Sequence, residues 1–290
     1  MEKSVFIDIG LPVSLFIIMI GMGLGLTLSD FAKEARHPRA AIVGSVGQLI
    51  VLPALGFLVA WGLGLTPAIA VGLVILAACP GGATSNVITY LARGNVALSI
   101  VVTAIASIAT IMTLPLLVNQ ALSWQLGEST NVAMPVVDTI AMLVIIVLLP
   151  TGIGMLIRAK APNIAARAEK PLNGFGALVL LALIVLISYG LRDHLLGLLI
   201  QAGPACLLLN ILGIGAGFAM ARMAGVAKED TLAIAVELGI KNSTIGILVA
   251  TTILGSQEMA IPSMVYGLTM YAFGAGLVAF GRSTIGAAKV

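Results

Sequence analysis

Two short polar stretches interrupt the long apolar runs of this chain and hold most of the side chains that could do chemistry. They are PGGATSN at residues 80–86 and ELGIKNST at residues 237–244. Glycine and proline within a membrane-crossing helix leave backbone groups unpaired, which is tolerated only where those groups are buried or line a polar cavity. One interrupted segment in each half of a chain is typical of a secondary transporter's binding site. We therefore expect the two stretches to form one binding site.

Glu237 is the most informative single residue, because a carboxylate near the middle of a bilayer costs a few kcal/mol. One interpretation is a structural ion pair with Lys241, which follows four residues later and could share its helical face. The other is a cation ligand, since hard cations prefer oxygen donors. The hydroxyl and amide residues nearby favour the cation ligand.

Four neutral side chains could supply further oxygen atoms to such a cation. Ser85 and Asn86 end the first polar stretch, and Ser99 and Thr103 are spaced so that their hydroxyls share one helical face. Each hydroxyl taken alone could simply bond a carbonyl in its own helix. Together with the Gly81-Gly82 break, they predict a site for a monovalent ion.

An anion could bind on the other side of the breaks. Asn242, Ser243 and Thr244 begin the second half of one interrupted segment, and Thr84 begins that of the other. Free amides at a helix N-terminus attract anions. These residues could also be simple helix caps, and we expect them to be both caps and substrate-binding residues for an organic carboxylate.

Other chemistry is poorly supported by the sequence. Gln48 lies in an apolar run, where an amide can join helices. The two histidines, His37 and His194, fall in opposite loops, and no metal-binding cysteine pattern or phosphate loop is present. A serine nucleophile at Ser85 or Ser243 would have only Lys241 as its base. We therefore predict neither an enzyme nor an organic cofactor.

Composition places the chain in the membrane. Of its 290 residues 60% are hydrophobic and 9% are charged, whereas a soluble domain has about 25% charged residues. A membrane-spanning helix needs about 20 mostly apolar residues. By that rule we predict an all-α protein of nine spans, at roughly 8–28, 40–63, 66–92, 95–121, 132–157, 172–191, 200–222, 230–254 and 259–281. The first span has no cleavage site and is expected to be retained.

Basic residues predict the orientation. The net charge of +3 does not indicate nucleic-acid binding, because the basic residues lie in short loops. Lys3 and Arg192 fall on one side of the nine-span arrangement, and Lys241 lies within a span. The positive-inside rule makes the crowded side cytoplasmic, with the N-terminus outside and the C-terminus inside. The crowded side holds Lys33, Arg36, Arg39, Arg93, Arg158, Lys160, Arg167, Lys170, Arg222, Lys228, Arg282 and Lys289.

The order of the spans indicates a repeat. The interrupted span is next to last in the first four spans and next to last in the final five. Two inverted repeats would result if the first had lost its opening helix. Cys79 and Cys206 lie far apart in apolar runs and are expected to be small buried hydrophobic residues.

The two polar stretches carry a resemblance to a known family. CPGG at residues 79–82, with Ser85-Asn86 and TYLARGNVALS at residues 89–99, strongly resembles the bile acid:sodium symporter family. Glu237-Leu238-Gly239 followed by Asn242-Ser243 resembles its second signature. The resemblance extends over nearly the whole chain. It implies one transmembrane domain over residues 1–290, with panel helices at about 8–28, 132–157 and 172–191 and core helices at about 40–121 and 200–281, in which the two broken helices cross.

The resemblance also implies the ion sites. The first sodium site corresponds to Ser85, Asn86, Ser99, Thr103 and Glu237. The second corresponds to Gln48, Glu237, the carbonyl oxygens of Leu238 and Ile240, and the position of Lys241. The family usually has glutamine at that last position. We therefore expect one sodium ion, with the second doubtful.

Lys241 leaves three possibilities open. An ammonium beside a sodium ion would repel it, so Lys241 could occupy the second sodium's place as a tethered cation. A buried lysine also changes protonation state readily, which would allow proton coupling. The third possibility is that Lys241 faces the substrate carboxylate.

Taken together, the sequence predicts a secondary-active symporter in a bacterial inner membrane. Its substrate would be a small organic anion, which the resemblance suggests is pantoate-like, a 2-oxo acid or bile-acid-like. The alternative is a proton-coupled or uncoupled transporter of the same fold. The sequence leaves the oligomeric state open and is compatible with a monomer.

Overall fold

The computed structural model describes residues 9–36, 38–127 and 134–285, except the side chains of Lys170 and Asn173. The described residues form helices and no strand. This confirms the predicted all-α polytopic fold. The helices are α1 Leu11–Leu24, α2 Leu28–Arg36, α3 Arg39–Gly62, α4 Pro67–Ala78, α5 Ala83–Leu91, α6 Val96–Leu126, α7 Val136–Lys160, α8 Pro162–Gly190, α9 Leu195–Met223, α10 Lys228–Gly239, α11 Ser243–Leu248 and α12 Ile261–Thr284.

Within the described ranges, seven helical stretches are long and apolar enough to cross a membrane. Two bent pairs, α1 with α2 and α4 with α5, bring the number to nine if each pair is one span; the bends are 60° and 64°. A π-helical turn at Val249–Ile253 continues α11, so that α10 and α11 form one interrupted span. Both predicted interruptions are therefore present.

The structure changes the prediction at the first span. Its helix ends at Leu24 and not near residue 28, and residues 8 and below lie outside the described part of the chain. The chain turns because Thr27 starts a new helix, with its Oγ1 2.5 Å from Asp30 Oδ2 and 3.3 Å from the Asp30 amide nitrogen. The following helix, α2, has polar residues on one face, which a hydropathy window does not detect.

The sixth predicted span is also longer than expected. Helix α8 begins at Pro162 and not near residue 172. Proline is favoured in the first helical turn because its missing N–H has no partner there in any case. Arg167 and Lys170 therefore lie on a helix, and the prediction that they occupy a loop was wrong. The predicted residues 132–133 lie outside the described ranges, and the fifth span, α7, begins at Val136.

Helices α1, α7 and α8 pack against one another. Gly23 of α1 and Gly154 of α7 allow the closest approach, since a Cβ on Gly154 would lie 2.8 Å from the Gly23 Cα. Small residues at such positions let membrane helices meet backbone to backbone. The remaining helices pack around the two interruptions, and residues 232–248 of α10 and α11 are buried throughout. Among the described spans, the one with the most completely buried apolar stretch is therefore the one that carries Glu237.

The two interruptions meet directly. At the second interruption the backbone is extended at Ile240, and the Asn242 amide donates to the Pro80 carbonyl oxygen at 2.9 Å. In an uninterrupted helix that amide would bond the carbonyl four residues earlier. One hydrogen bond thus joins the two breaks and places their polar residues together.

Several loops that the sequence predicts on the crowded side of the membrane lie at the same end of the molecule. Asn95 donates to Asp230 and to Glu34, at 2.8 and 3.2 Å. Arg93 donates to the Ile285 carbonyl at 3.1 Å and Arg282 to that of Leu91 at 3.0 Å. His194 lies in the loop between α8 and α9. Lys3, His37 and Lys289 lie outside the described residues.

Candidate functional site

Glu237 lies near the end of α10 and is completely buried. Its Oε1 accepts hydrogen bonds from Ser85 at 2.6 Å and Ser99 at 2.5 Å. Its Oε2 accepts from Thr103 at 2.7 Å and Gln48 at 2.6 Å. An ionised carboxylate is an acceptor only and has about four lone-pair sites. Side chains from α3, α5 and α6 therefore supply as many donors as this carboxylate can accept.

In the same cluster, the hydrogen-bond acceptors outnumber the hydroxyl protons that could serve them. Ser99 Oγ lies 2.9 Å from Asn86 Oδ1 as well as 2.5 Å from Glu237 Oε1. Ser85 Oγ lies 2.7 Å from the Gly82 carbonyl oxygen as well as 2.6 Å from Glu237 Oε1. Each hydroxyl has a single proton, so it can serve only one of its two acceptors fully. Hydroxyl, amide and carboxylate oxygens at such short range suit a hard cation.

The structure thus brings together the residues that the resemblance placed in the first sodium site. Ser85, Ser99, Thr103 and Glu237 are buried, and Asn86 is partly exposed. Gly81 is required beside them, because a Cβ there would lie 2.5 Å from Glu237 Oε2 and 3.0 Å from Thr103 Oγ1. Its amide donates to Gln48 Oε1 at 3.1 Å.

Gln48 connects three parts of the site. Its Nε2 donates to Glu237, and its Oε1 accepts from the Gly81 amide and from Lys241 Nζ at 3.3 Å. This chemistry fixes the orientation of the amide group, since the oxygen faces donors and the nitrogen faces the carboxylate. No salt bridge joins Lys241 to Glu237 in the described part of the chain. The interpretation of a direct ion pair between them was therefore wrong.

The backbone at the second interruption is held by residues that sequence reasoning missed. The Gly239 carbonyl oxygen accepts from Tyr266 Oη at 2.8 Å and from Asn210 Nδ2 at 3.1 Å, and both side chains are fully buried. The carbonyl groups of Leu238 and Ile240 belong to buried residues on either side. Among the described residues no hydrogen bond joins Lys241 to either of them. A polar side chain in an apolar helix was the only available signal for Tyr266 and Asn210.

Removing the Tyr266 hydroxyl should destabilise the protein. We expect Tyr266→Phe to cost about 1 kcal/mol, because Asn210 remains as a partner for the Gly239 carbonyl oxygen. Thermal unfolding of the purified protein would show an apparent Tm lower by roughly 2–4 °C. Tyr189→Phe, at an exposed position, is the control and should leave the Tm unchanged. Equal Tm values for the two variants would contradict a role for the hydroxyl.

A cavity of about 250 Å³ opens next to the interruptions. Thr84, Asn242, Ser243 and Thr244, the predicted substrate-binding residues, all line it, together with Lys241. Ile18 of α1 and Gly176, Ala177 and Leu180 of α8 also line it. Asn242 also caps α11 by accepting from the Ile245 amide at 3.3 Å, so that it is both cap and lining residue.

The site has no pair of groups suited to nucleophilic catalysis among the described residues. Ser85 donates to Glu237, and Lys241 bonds Gln48, not a serine. Ser243 Oγ is buried and has no hydrogen-bond partner in the described structure. A serine nucleophile needs a base within hydrogen-bonding distance. Among the described residues, neither Ser85 nor Ser243 therefore has Lys241 as a base.

Known proteins match this chain over most of its length. Residues 12–197 match the profile of the sodium bile acid symporter family. The chain is 33% identical over 270 residues to the uncharacterized sodium-dependent transporter YocS of Bacillus subtilis, with 91% of this chain and 81% of that protein covered.

Two eukaryotic relatives match this chain over a smaller share of their own length or at a lower identity. The probable chloroplastic sodium/metabolite cotransporter BASS2 of Oryza sativa subsp. japonica is 32% identical over 276 residues, covering 93% of this chain and 63% of that one. The chain thus spans under two thirds of that plant relative. The ileal sodium/bile acid cotransporter of Cricetulus griseus is 26% identical over 287 residues, covering 95% and 79%.

Proposed function

We propose, since this chain belongs to the sodium bile acid symporter family, that it is a secondary-active symporter driven by sodium and specific for a small organic anion. The family consists of transporters, so the chain is a multi-pass membrane transporter and not an enzyme, as the sequence predicted. The names of the relatives describe sodium-dependent or sodium-coupled transporters of metabolites and bile acids. They support sodium as the coupling ion.

The observation that carries the proposal is the set of oxygen atoms around Glu237. A sodium ion would be bound by the carboxylate, by Ser85, Ser99 and Thr103, and by the side-chain oxygen of Asn86. The surplus of acceptors at Ser85 and Ser99 supports this assignment. Sodium here is cargo, taken up and released in each cycle, and no organic cofactor is required.

At the second site we propose that Lys241 replaces the ion. Its Nζ lies 3.3 Å from Gln48 Oε1, and Gln48 is one of the residues that the resemblance assigns to the second sodium. A tethered ammonium at this point would repel a second sodium strongly in a partly buried site. The transporter would then couple one sodium ion to each anion. Proton-coupled or uncoupled transport remains the alternative.

Transport would proceed by alternating access. We propose that α1, α7 and α8 form a panel and that the other spans form the core, as the resemblance implies. The cavity between α1, α8 and the two interruptions supports this division, since relative movement there would open it to either side. We also propose that the protein lies in a bacterial inner membrane, with its N-terminus outside and its C-terminus cytoplasmic.

The experiment that tests the function is uptake by proteoliposomes under an imposed sodium gradient. Counterflow with a mixture of radiolabelled organic acids would first identify a transported one. We expect that acid to accumulate above its external concentration only when sodium is higher outside. Equilibration without accumulation, with or without sodium, would establish an uncoupled transporter instead.

Lys241→Gln tests the tethered cation. We expect the sodium dependence of binding to change from a Hill coefficient near one to a clearly higher value, because a second sodium can now enter. The measurement is thermal stabilisation across a sodium titration, since a ligand stabilises by RT ln(1 + [L]/Kd). Lys228→Gln, at an exposed position, is the control. An unchanged sodium affinity and Hill coefficient in Lys241→Gln would rule out this role.

A further inference from the structure

The cavity beside the interruptions has one charged side chain among its described lining residues, Lys241. The side chain is 2% exposed and its Nζ has Gln48 as its one hydrogen-bond partner in the described structure. An ammonium carries three N–H donors. A buried ammonium that is not fully bonded is costly unless a ligand completes its hydrogen bonding.

Ser243 provides a second incompletely bonded group on the same wall. Its Oγ is buried without a partner among the described residues, and the residue is 2% exposed. It is two positions from Lys241 and lines the same cavity. A buried hydroxyl is almost always hydrogen-bonded in a native structure. Both groups thus point to a bound acceptor.

We propose that the Lys241 ammonium and the Ser243 hydroxyl together anchor the carboxylate of a compact, singly charged substrate. This rests on the proposed transport of an organic anion and adds the residues that select it. With one cation in the lining, the cavity matches one negative charge. A dianion would bring a second charge without a partner, at a large desolvation cost.

The size and lining of the cavity limit the part of the substrate beyond its carboxylate. Its volume of about 250 Å³ lies below the roughly 300–1,000 Å³ of pockets for drug-sized ligands. Ile18, Leu180 and Met270 contribute apolar surface to its lining. A short or branched monocarboxylate fits within this volume, whereas a four-ring steroid would extend beyond it.

The anchor would also link the anion to the sodium site. Lys241, Gln48 and Glu237 form a chain of hydrogen bonds. Without sodium, the Glu237 carboxylate offsets the charge of Lys241 across Gln48. Sodium bound at Glu237 cancels that carboxylate and leaves the ammonium free to attract an anion. Each ligand should therefore strengthen the binding of the other by the same factor.

The test uses the purified full-length protein in sodium chloride. Thermal stabilisation is measured with propionate, isobutyrate, pivalate, 2-hydroxyisobutyrate and benzoate, each beside its neutral primary amide, and with succinate and cholate. We expect at least one compact acid to bind about tenfold or more tightly than its amide, a difference of about 1.4 kcal/mol. Succinate and cholate should bind more weakly than that acid.

Two variants and a control show which residues cause the preference for the acid over its amide. Lys241→Met offers neither an ammonium nor an oxygen ligand for a second sodium, and it should bring the acid and its amide to within about twofold of each other, whereas Lys228→Met should keep the wild-type ratio. Ser243→Ala should weaken the acid about fivefold while keeping a preference for acid over amide. An acid preference that survives in Lys241→Met would overturn the proposal, as would binding of cholate but of no compact acid, or no binding by any compact acid.

Two outcomes distinguish the anchor formed by Lys241 and Ser243 from sodium-coupled transport. Acid binding that depends on Lys241 but is the same in choline as in sodium would leave the anchor standing and remove sodium coupling. Sodium-driven accumulation in proteoliposomes with an unchanged acid preference in Lys241→Met would support the symporter and remove the anchor.

Discussion

Gly81→Ala should abolish sodium-dependent transport, although it adds only one methyl group. The new Cβ would lie 2.5 Å from Glu237 Oε2 and 3.0 Å from Thr103 Oγ1. Either the carboxylate or the break in the helix must move, and overpacking of this kind typically costs about 1–3 kcal/mol. Because the displaced atoms are the proposed sodium ligands, we expect sodium affinity to fall by about a hundredfold or more, equivalent to roughly 2.7 kcal/mol.

The next residue offers a matched control. A Cβ on Gly82 would have its nearest neighbour, the Asn242 Cα, at 3.7 Å, an ordinary van der Waals distance. Gly82 also has φ −129° and ψ 172°, a conformation open to alanine. Gly82→Ala should therefore keep sodium-dependent stabilisation. Sodium binding that is equal in the two variants would show that the carboxylate is not placed where sodium binds.

Glu237→Gln should remove sodium binding while leaving the protein folded. The substitution keeps the shape of the side chain and eliminates its charge. We expect sodium affinity to fall at least about a hundredfold, because the only carboxylate among the proposed ligands is lost. In sodium-free buffer we expect the Tm to fall, because the carboxylate that offsets the buried Lys241 ammonium is lost.

Loss of the rise in Tm on adding sodium, measured within the variant itself, separates loss of the site from a general loss of stability. Thermal unfolding in sodium and in choline would measure both, and proteoliposome uptake would show whether accumulation is lost. Glu258→Gln changes a carboxylate at an exposed position and should behave as wild type. Sodium stabilisation of normal size in Glu237→Gln would mean that the ion binds elsewhere.

Much of the site could be predicted from local sequence. Apolar length predicts the spans, and proline and glycine within those spans predict the interruptions. A carboxylate with hydroxyl and amide residues in a membrane requires polar partners, and the structure supplies Ser85, Ser99, Thr103 and Gln48. Hydropathy could not predict α2 or the start of α8, because both are helices with polar residues.

Sequence by itself determined that this is a membrane protein with two polar breaks around one buried carboxylate, because those properties follow from composition and spacing. Tertiary structure decided which groups meet. Lys241 lies four residues after Glu237, but α10 ends at Gly239 and the backbone is extended at Ile240, so helical spacing no longer applies and the ammonium reaches Gln48 instead. Tyr266 and Asn210 hold the Gly239 carbonyl oxygen from distant helices. Such contacts depend on how helices pack, and no local pattern records them.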